Sequence, residues 1–271
     1  MSAVTTEPQA PLLECRDLVV GYEPGRPVIN GVDLAINKGE IVALLGGSGC
    51  GKSTLLKSIT GLLKPISGQV KLFGESLYDL DEEDRGQLMR RAGFLFQADA
   101  LFGSISVVDN VALPLRELTR LPAPVIREMA RMRLAMVGLA GFENRPPESL
   151  SGGQRKRAAL ARASILDPEL IFCDEPSAGL DPIVAAGLDE TLVNFKTVYG
   201  MTIVAVTHEL ESIRTIADRA VYLGGGRILA TGTIDELSES DDEEVHNFFH
   251  RVAVDNASDA GDAVDQLRHG S

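Results

Sequence analysis

Hydrophobic and polar positions change rhythm several times along the chain. Residues 12–22, LLECRDLVVGY, and 33–37, DLAIN, combine alternation with β-branched side chains and predict strands. IVALLG, 41–46, is instead a continuous apolar run, the pattern of a strand covered on both faces. Glycines follow it at once, and then the helical run KSTLLKSITGLL, 52–63. QVKLF, after Lys64, predicts a short strand between turns, and GFLFQ, 93–97, another buried strand. From about 99 to 163 strand signals fade and helical periodicity takes over, clearest in VIREMARMRLAMVGL, 125–139, with Pro122 and Pro124 just upstream of its start. Strands return in LIFCDEP, 170–176, and TIVAVTH, 202–208, each followed by a helix, near 183–198 and 209–217. AVYLGGGRILATG closes with two short strands around a glycine turn. The order predicts an α/β fold: a βα core interrupted by a helical insert, with both halves of the core needed to complete one parallel sheet.

Beyond Leu237 the pattern changes again. VHNFFHRV, 245–252, is an apolar and aromatic patch in an acidic neighbourhood, readable equally as a helix docking on its own domain or on a partner. AVDNASDAGDAVDQLRHGS reads as a flexible end.

Composition narrows the classes. A chain of 271 residues, 44% hydrophobic and 24% charged, can bury a sizeable core as one large domain or two joined lobes, and is neither mainly disordered nor fibrous. Its net charge is −13, and eleven acids against two bases from Asp235 to Ser271 place −9 of it at one end. The core is therefore nearly balanced, and a nucleic-acid backbone is a poor partner for an acidic chain. Cys15, Cys50 and Cys173 are an odd number without CxxC spacing, which points to a reducing compartment. No apolar run approaches the roughly 18 to 20 residues that span a bilayer, and MSAVTTEPQAP lacks a signal peptide's pattern, so a role at a membrane is expected to come through a partner.

Two motifs carry chemistry. GGSGCGKS, 46–53, matches GxxxxGKS directly after a buried strand and directly before a helix, the context that the motif requires. Glycines let successive N–H groups face one concavity, Lys52 can reach the β- and γ-phosphates, and the Ser53 hydroxyl can ligate Mg²⁺. LIFCDE then ends a buried strand in Asp174, placed to orient Mg²⁺ through water, with Glu175 beside it as a base for the attacking water. An acidic pair at a strand end can also merely cap a helix; paired with a phosphate loop it indicates a nucleoside triphosphate and Mg²⁺.

LSGGQRKRAALARA, 150–163, lies between these motifs, and the ordered set resembles the nucleotide-binding subunit of an ATP-binding cassette transporter over about residues 12–237. The resemblance implies a P-loop NTPase core of RecA type, an antiparallel β subdomain, and a helical signature subdomain at about 99–163, with residues 238–271 a short acidic extension. It implies ATP and Mg²⁺ as ligands and a head-to-tail dimer with a second copy, in which Ser151, Gly152, Gly153 and Gln154 complete the partner's ATP site. The remaining roles follow by motif. Gly46, Gly47, Ser48, Gly49, Cys50, Gly51, Lys52, Ser53 and Thr54 cradle the phosphates, and Tyr22 in VVGYEPG stacks on adenine. Gln97, at the end of GFLFQ, approaches Mg²⁺ and water together with Ser53 and Asp174, His208 contacts the γ-phosphate, and Asp181 in SAGLDP joins the two sites. Glu175 is the expected base, with Lys52, Gln97 and His208 as the other catalytic residues.

LFGSISVVDNVALPLRE, 101–117, resembles the corresponding stretch in the ATPases of Mla and Mce-linked phospholipid transport systems, and VHNFFHR occupies the place of their short terminal segment. That likeness implies a location on the cytoplasmic face of the bacterial inner membrane. It further implies an integral permease, an Mce-domain lipid-binding protein and a small STAS-type regulator as partners, with no nucleic acid. Two alternatives stay open. LSGGQ also fits the ATPase of another importer, of amino acids, ions or small solutes, although the 34 residues after Leu237 are fewer than the about 80 of the regulatory domain such importers usually add. A soluble repair or translation cassette lacks support, because neither a long coiled coil nor a second cassette is present.

Overall fold

A computed structural model of the chain describes residues 10–23 and 25–250. The chain opens with β1 (Leu13–Val20), β2 (Ile29–Ile36), β3 (Ile41–Leu45) and α1 (Lys52–Ile59), followed by β4 (Ser67–Leu72), β5 (Glu75–Ser76), α2 (Glu82–Met89) and β6 (Ala92–Leu95). Helices α3 (Val107–Leu118), α4 (Ala123–Met136) and α5 (Gly152–Ser164) separate β6 from β7 (Leu170–Asp174). Then come α6 (Pro182–Tyr199), β8 (Thr202–Val206), α7 (Leu210–Ile216), β9 (Arg219–Gly224), β10 (Arg227–Gly232) and α8 (Ile234–Ser238). Residues 243–250 are again helical. The flexible end expected after 252 lies outside the described residues.

Two sheets result. Strands ordered β2-β1-β4-β5 form an antiparallel sheet, and β10-β9-β3-β8-β7-β6 form a second sheet in which only the β9–β10 pairing is antiparallel. β6, before the helical insert, pairs with β7, after it. The α/β architecture with a P-loop core, an antiparallel β layer and a helical lobe is the one the family resemblance implies.

Packing explains why the central strands read as unbroken apolar runs. All five residues of β3 and of β8 are buried. Val42 and Leu44 join a core shared with β1, β2, β4 and α1, whereas Ala43 and Leu45 face α7, β9, α8 and the terminal helix. Ile203, Ala205, Ile171 and Cys173 look toward the helical lobe, packing with Val111, Leu134 and Leu160. Side chains alternate across a strand, so a strand covered on both faces must be apolar at every position.

The structure departs from the sequence reading at four places. α1 ends at Ile59 instead of continuing to 63, because Gly61 turns left-handed at φ 79°. β6 and β8 stop at Leu95 and Val206, so Gln97 and His208 stand beyond the strand ends, in the connections. α2 lies where no element was read: it buries Leu88 alone, and its start rests on the Asp81 cap with Glu82, Glu83 and Asp84 in the first turn. Pro124 sits inside the first turn of α4 rather than ahead of the helix.

Candidate active site

β3, β7 and β8 are parallel neighbours whose registers level Leu44, Val206 and Asp174 at one edge of the sheet. From this edge leave the phosphate loop after β3, Gln97 after β6, Glu175 after β7 and His208 after β8. Such carboxyl ends collect ligands because every βα connection emerges there and delivers a helix N-terminus.

The phosphate loop is glycine-rich for steric reasons. Gly46 has φ 144°, and a Cβ there would fall on the Leu223 carbonyl oxygen. Gly51 caps α1 at φ 110°, where a Cβ would lie 2.7 Å from Ile29 Cδ1. Gly47, Ser48 and Gly49 are exposed along the rim, and Cys50 is half-buried. No side chain caps α1, which leaves its first N–H groups to an anion. Lys52 Nζ donates to the carbonyls of Gly46 at 2.8 Å and Gly47 at 2.9 Å, holding its charge over the loop.

Thr54 is buried, and its Oγ1 lies 3.4 Å from Tyr22 Oη. Lys57 Nζ donates to the same phenol at 3.3 Å and sits 5.5 Å from the ring centroid. The Thr54 hydroxyl first, then Lys57, holds the phenol below its usual pKa range. Tyr22 is thus tethered to α1 by its tip while 59% of the residue stays exposed.

Ser53 and Asp174 line one recess of about 110 Å³, walled by Leu56, Phe94 and Phe172. Burial, then the Glu175 charge, pushes the Asp174 carboxyl above its ordinary range, and Lys156, Lys52 and Lys57 pull it back. A hydroxyl and a strained carboxylate are hard oxygen donors whose charge a divalent cation relieves. Among the described residues no cluster of three or more His, Cys, Asp or Glu could hold a metal, so phosphate oxygens and water would complete six ligands.

Glu175 adopts φ 50°, left-handed for a residue with a Cβ. Its N–H donates to Val206 O at 2.8 Å, and its Oε1 lies 2.9 Å from His208 Nδ1. Oε2 is buried without a partner. A carboxylate with one oxygen oriented and the other unpartnered is a candidate general base. His208 is exposed at the mouth, and so is the Gln97 side chain.

Ser151, Gly152, Gly153 and Gln154 form the N-cap and first turn of α5. Ser151 caps α5: its Oγ accepts from Gln154 N at 3.3 Å, and Gln154 Oε1 accepts from Ser151 N at 3.0 Å. Gly153 packs against Val184, with no room for a Cβ between them. Asp181 is exposed and caps α6 by accepting from Val184 N at 3.1 Å. One chain therefore holds the phosphate loop, Gln97, Asp174, Glu175 and His208 at one edge of the sheet, while the signature starts a helix of the segment inserted between β6 and β7.

One buried side chain beside the site escaped the sequence reading. Lys156, in the charged run RKR, is buried at 5% exposure and donates to Gln97 O at 2.6 Å and Glu175 O at 3.1 Å. A basic run on a helix reads as a solvated face, and only the fold of the loops over α5 buries it.

The model of the ABC transporter family matches residues 29–178. Over 238 residues the chain is 40% identical to the intermembrane phospholipid transport system ATP-binding protein MlaF of Haemophilus influenzae, covering 88% of this chain and 89% of that one. MlaF of Escherichia coli K12 is 38% identical over 245 residues, 90% of each chain. Among solved structures, the dimeric post-hydrolysis state of the ATP-binding cassette MJ0796 bound to ADP and Pi is similar at a TM-score of 0.75 and 32% identity, covering 82% of this chain and 98% of that one.

Proposed function

Because the chain belongs to the ABC transporter family and is similar to MlaF along most of its length, we propose that it powers a phospholipid-transporting permease of the bacterial cell envelope. ATP binding and hydrolysis are the chain's activity. For hydrolysis the supporting geometry is the Glu175–His208 pair beside the phosphate loop; for the cargo it is the likeness to MlaF along nine-tenths of the chain.

Phosphates lie across the N–H groups of the loop and the start of α1, with Lys52 on the β- and γ-phosphates and Tyr22 against adenine. Ser53 and Asp174 would hold Mg²⁺, with Gln97 approaching it; the ion supplies neutralisation of phosphate charge. Glu175 Oε2 takes the proton of the attacking water, and His208 fixes Oε1 and faces the γ-phosphate. ATP-binding cassettes of this fold dimerise. In this chain's dimer the partner's Ser151, Gly152, Gly153 and Gln154 close on the γ-phosphate, and Asp181 lies at the junction.

The permease is proposed to seat in an apolar groove of about 520 Å³ beside Gln97, lined by Phe94, Phe96, Phe102, Leu113 and Leu118. Phe96 and Phe102 are exposed there. Asn110, fully buried, shapes the groove's edge: Nδ2 donates to the carbonyls of Phe102, Ile105 and Ser106 at 3.0, 3.3 and 3.1 Å, and Oδ1 accepts from Phe102 N at 2.7 Å. DNVA in the sequence is thus the scaffold that presents Phe102. No helix of the described residues is long and apolar enough to cross a membrane. On the proposed reading the chain sits on the inner membrane's cytoplasmic face through its permease. An Mce-domain lipid-binding protein and a small STAS-type regulator complete the proposed assembly.

Purification of the tagged protein from its native membranes in mild detergent, with mass spectrometry of co-purifying subunits and lipids, tests this. A permease, an Mce-domain protein and phospholipid are expected. A different permease with a soluble binding protein would keep the ATPase chemistry and overturn the cargo.

A further inference from the structure

The helix α5 faces two tasks at once. Its first residues follow Ser151, the end that the proposed dimer presents to the partner's nucleotide. In its second turn Lys156 points inward, and its ammonium ties together two separate loops of its own chain: Gln97 O at 2.6 Å, Glu175 O at 3.1 Å, with Asp99 Oδ1 at 3.7 Å as counter-charge. Both loops hold unfavourable backbone. Glu175, Asp99 and Ala100 lie at φ 50°, 59° and 52°. Non-glycine residues in such regions are disfavoured and persist only where the surroundings over-determine them.

Here the surroundings are cations of α5. Arg155 Nε donates to Asp99 Oδ2 at 3.4 Å, and Arg162 donates to Ala100 O at 2.6 Å and Asp99 O at 3.0 Å. Those two arginines grip the turn after Gln97, but Lys156 also reaches the carbonyl of the residue that carries the base. We propose that Lys156 is a positioning residue that makes α5 a rigid link between the partner's nucleotide and this chain's own Glu175. Docking of Ser151 on the partner's γ-phosphate then fixes α5, and through Lys156 fixes Gln97 and the strained Glu175 peptide together. The two hydrolysis sites are coupled through one ammonium. The link rests on the dimeric ATPase reading above.

The test uses the full-length protein, with ATP hydrolysis, equilibrium ATP binding and thermal melting measured in parallel. Lys156→Met removes the donors while keeping the stem; Lys156→Gln keeps two N–H donors without charge. Lys156→Met is expected to lower kcat at least about tenfold with KM within about threefold, and to flatten the cooperative rise of rate with ATP, while Lys156→Gln regains most of the loss. Lys156→Met with kcat within about twofold of the parent would overturn the proposal, as would equal losses in both variants or a loss carried wholly by KM. If Lys156→Met does not fold, Lys156→Leu takes its place under the same criteria, again read against Lys156→Gln. Glu175→Gln separates the two ideas, since a variant that hydrolyses like the parent refutes the base beneath the proposal, whatever the Lys156 variants do.

Discussion

His208 Nδ1 lies 2.9 Å from Glu175 Oε1, while Glu175 Oε2 is buried without a partner. The ring orients one carboxylate oxygen and leaves the other unpartnered, the arrangement proposed above for a base, and the backbone at φ 50° holds the residue at the strand's end. Removing the base without changing its shape should separate hydrolysis from binding. Glu175→Gln is expected to slow ATP turnover at least about a hundredfold, at the low end of what a general base contributes, yet to favour an ATP-bound dimer because a repulsive charge is gone. Turnover assays and size-exclusion chromatography with ATP check both halves. Unchanged hydrolysis would remove Glu175 from its role.

Tyr22 is tethered to α1 through Thr54 and Lys57 with most of its ring exposed. If the ring stacks on a base, Tyr22→Ala should weaken ATP binding by about 1–3 kcal/mol, roughly five- to 150-fold, with kcat nearly held. Stacking tolerates any base, so GTP affinity should fall with it. A loss confined to kcat would show that the tether to α1, and not the ring's face, is what matters.

Much of this site is legible along the chain because phosphate loops, strand-end acids and buried parallel strands impose local patterns. Gly46 and Lys52 sit at fixed spacing because a strand must turn into a helix within a few residues. Asp174 and Glu175 are found because LIFC, before them, is unbroken. Gln97 and His208 are placed a little wrongly, since apolar character runs on past the hydrogen-bonded pairing: Phe96 is exposed at the groove, not paired. α2 is invisible to periodicity because it buries one side chain. Lys156 is invisible for a deeper reason: its burial is made by loops far away in sequence, and nothing beside it in RKR says which of three cations turns inward.

Gly46 tests whether the loop's shape is steric. A methyl group there meets the Leu223 carbonyl, backbone that cannot rotate away, at a φ of 144°. Gly46→Ala is expected to abolish measurable ATP binding and to cost about 1–3 kcal/mol or more of stability. Gly49→Ala, at φ 77° but in open space, should be milder. Equal binding by the parent and Gly46→Ala would show that the loop can shift.

Asp109 supplies a pH-dependent contribution at the start of α3. The Ser106 hydroxyl first, then Arg116 at 2.5 Å, holds its carboxyl below the ordinary range. A depressed folded-state pKa stabilises the fold above the usual carboxylate range, and the contribution is lost as pH falls through the depressed value. Asp109→Asn should therefore lower the melting temperature at neutral pH, and the difference from the parent should close in acid. A gap that stays constant from neutral to acid pH would assign the effect to packing.

Val245 and Phe249 are buried against Tyr222, and Phe248 meets the same ring edge-on at 5.3 Å. The terminal helix docks on its own chain at this point, on the face of β9 opposite the main core. Ala43 and Leu45, in the strand that feeds the phosphate loop, belong to the same cluster. Phe249→Ala should cost about 3–5 kcal/mol as for a core aromatic, less if the helix end frays. Removal of everything after Leu237 should lower the melting temperature while leaving ATP affinity nearly intact, because the loop itself is fixed by Gly46, Leu223 and Ile29 and not by the helix. Nucleotide affinity lost together with the segment would mean that the terminal helix holds β3, and through it the loop, in place.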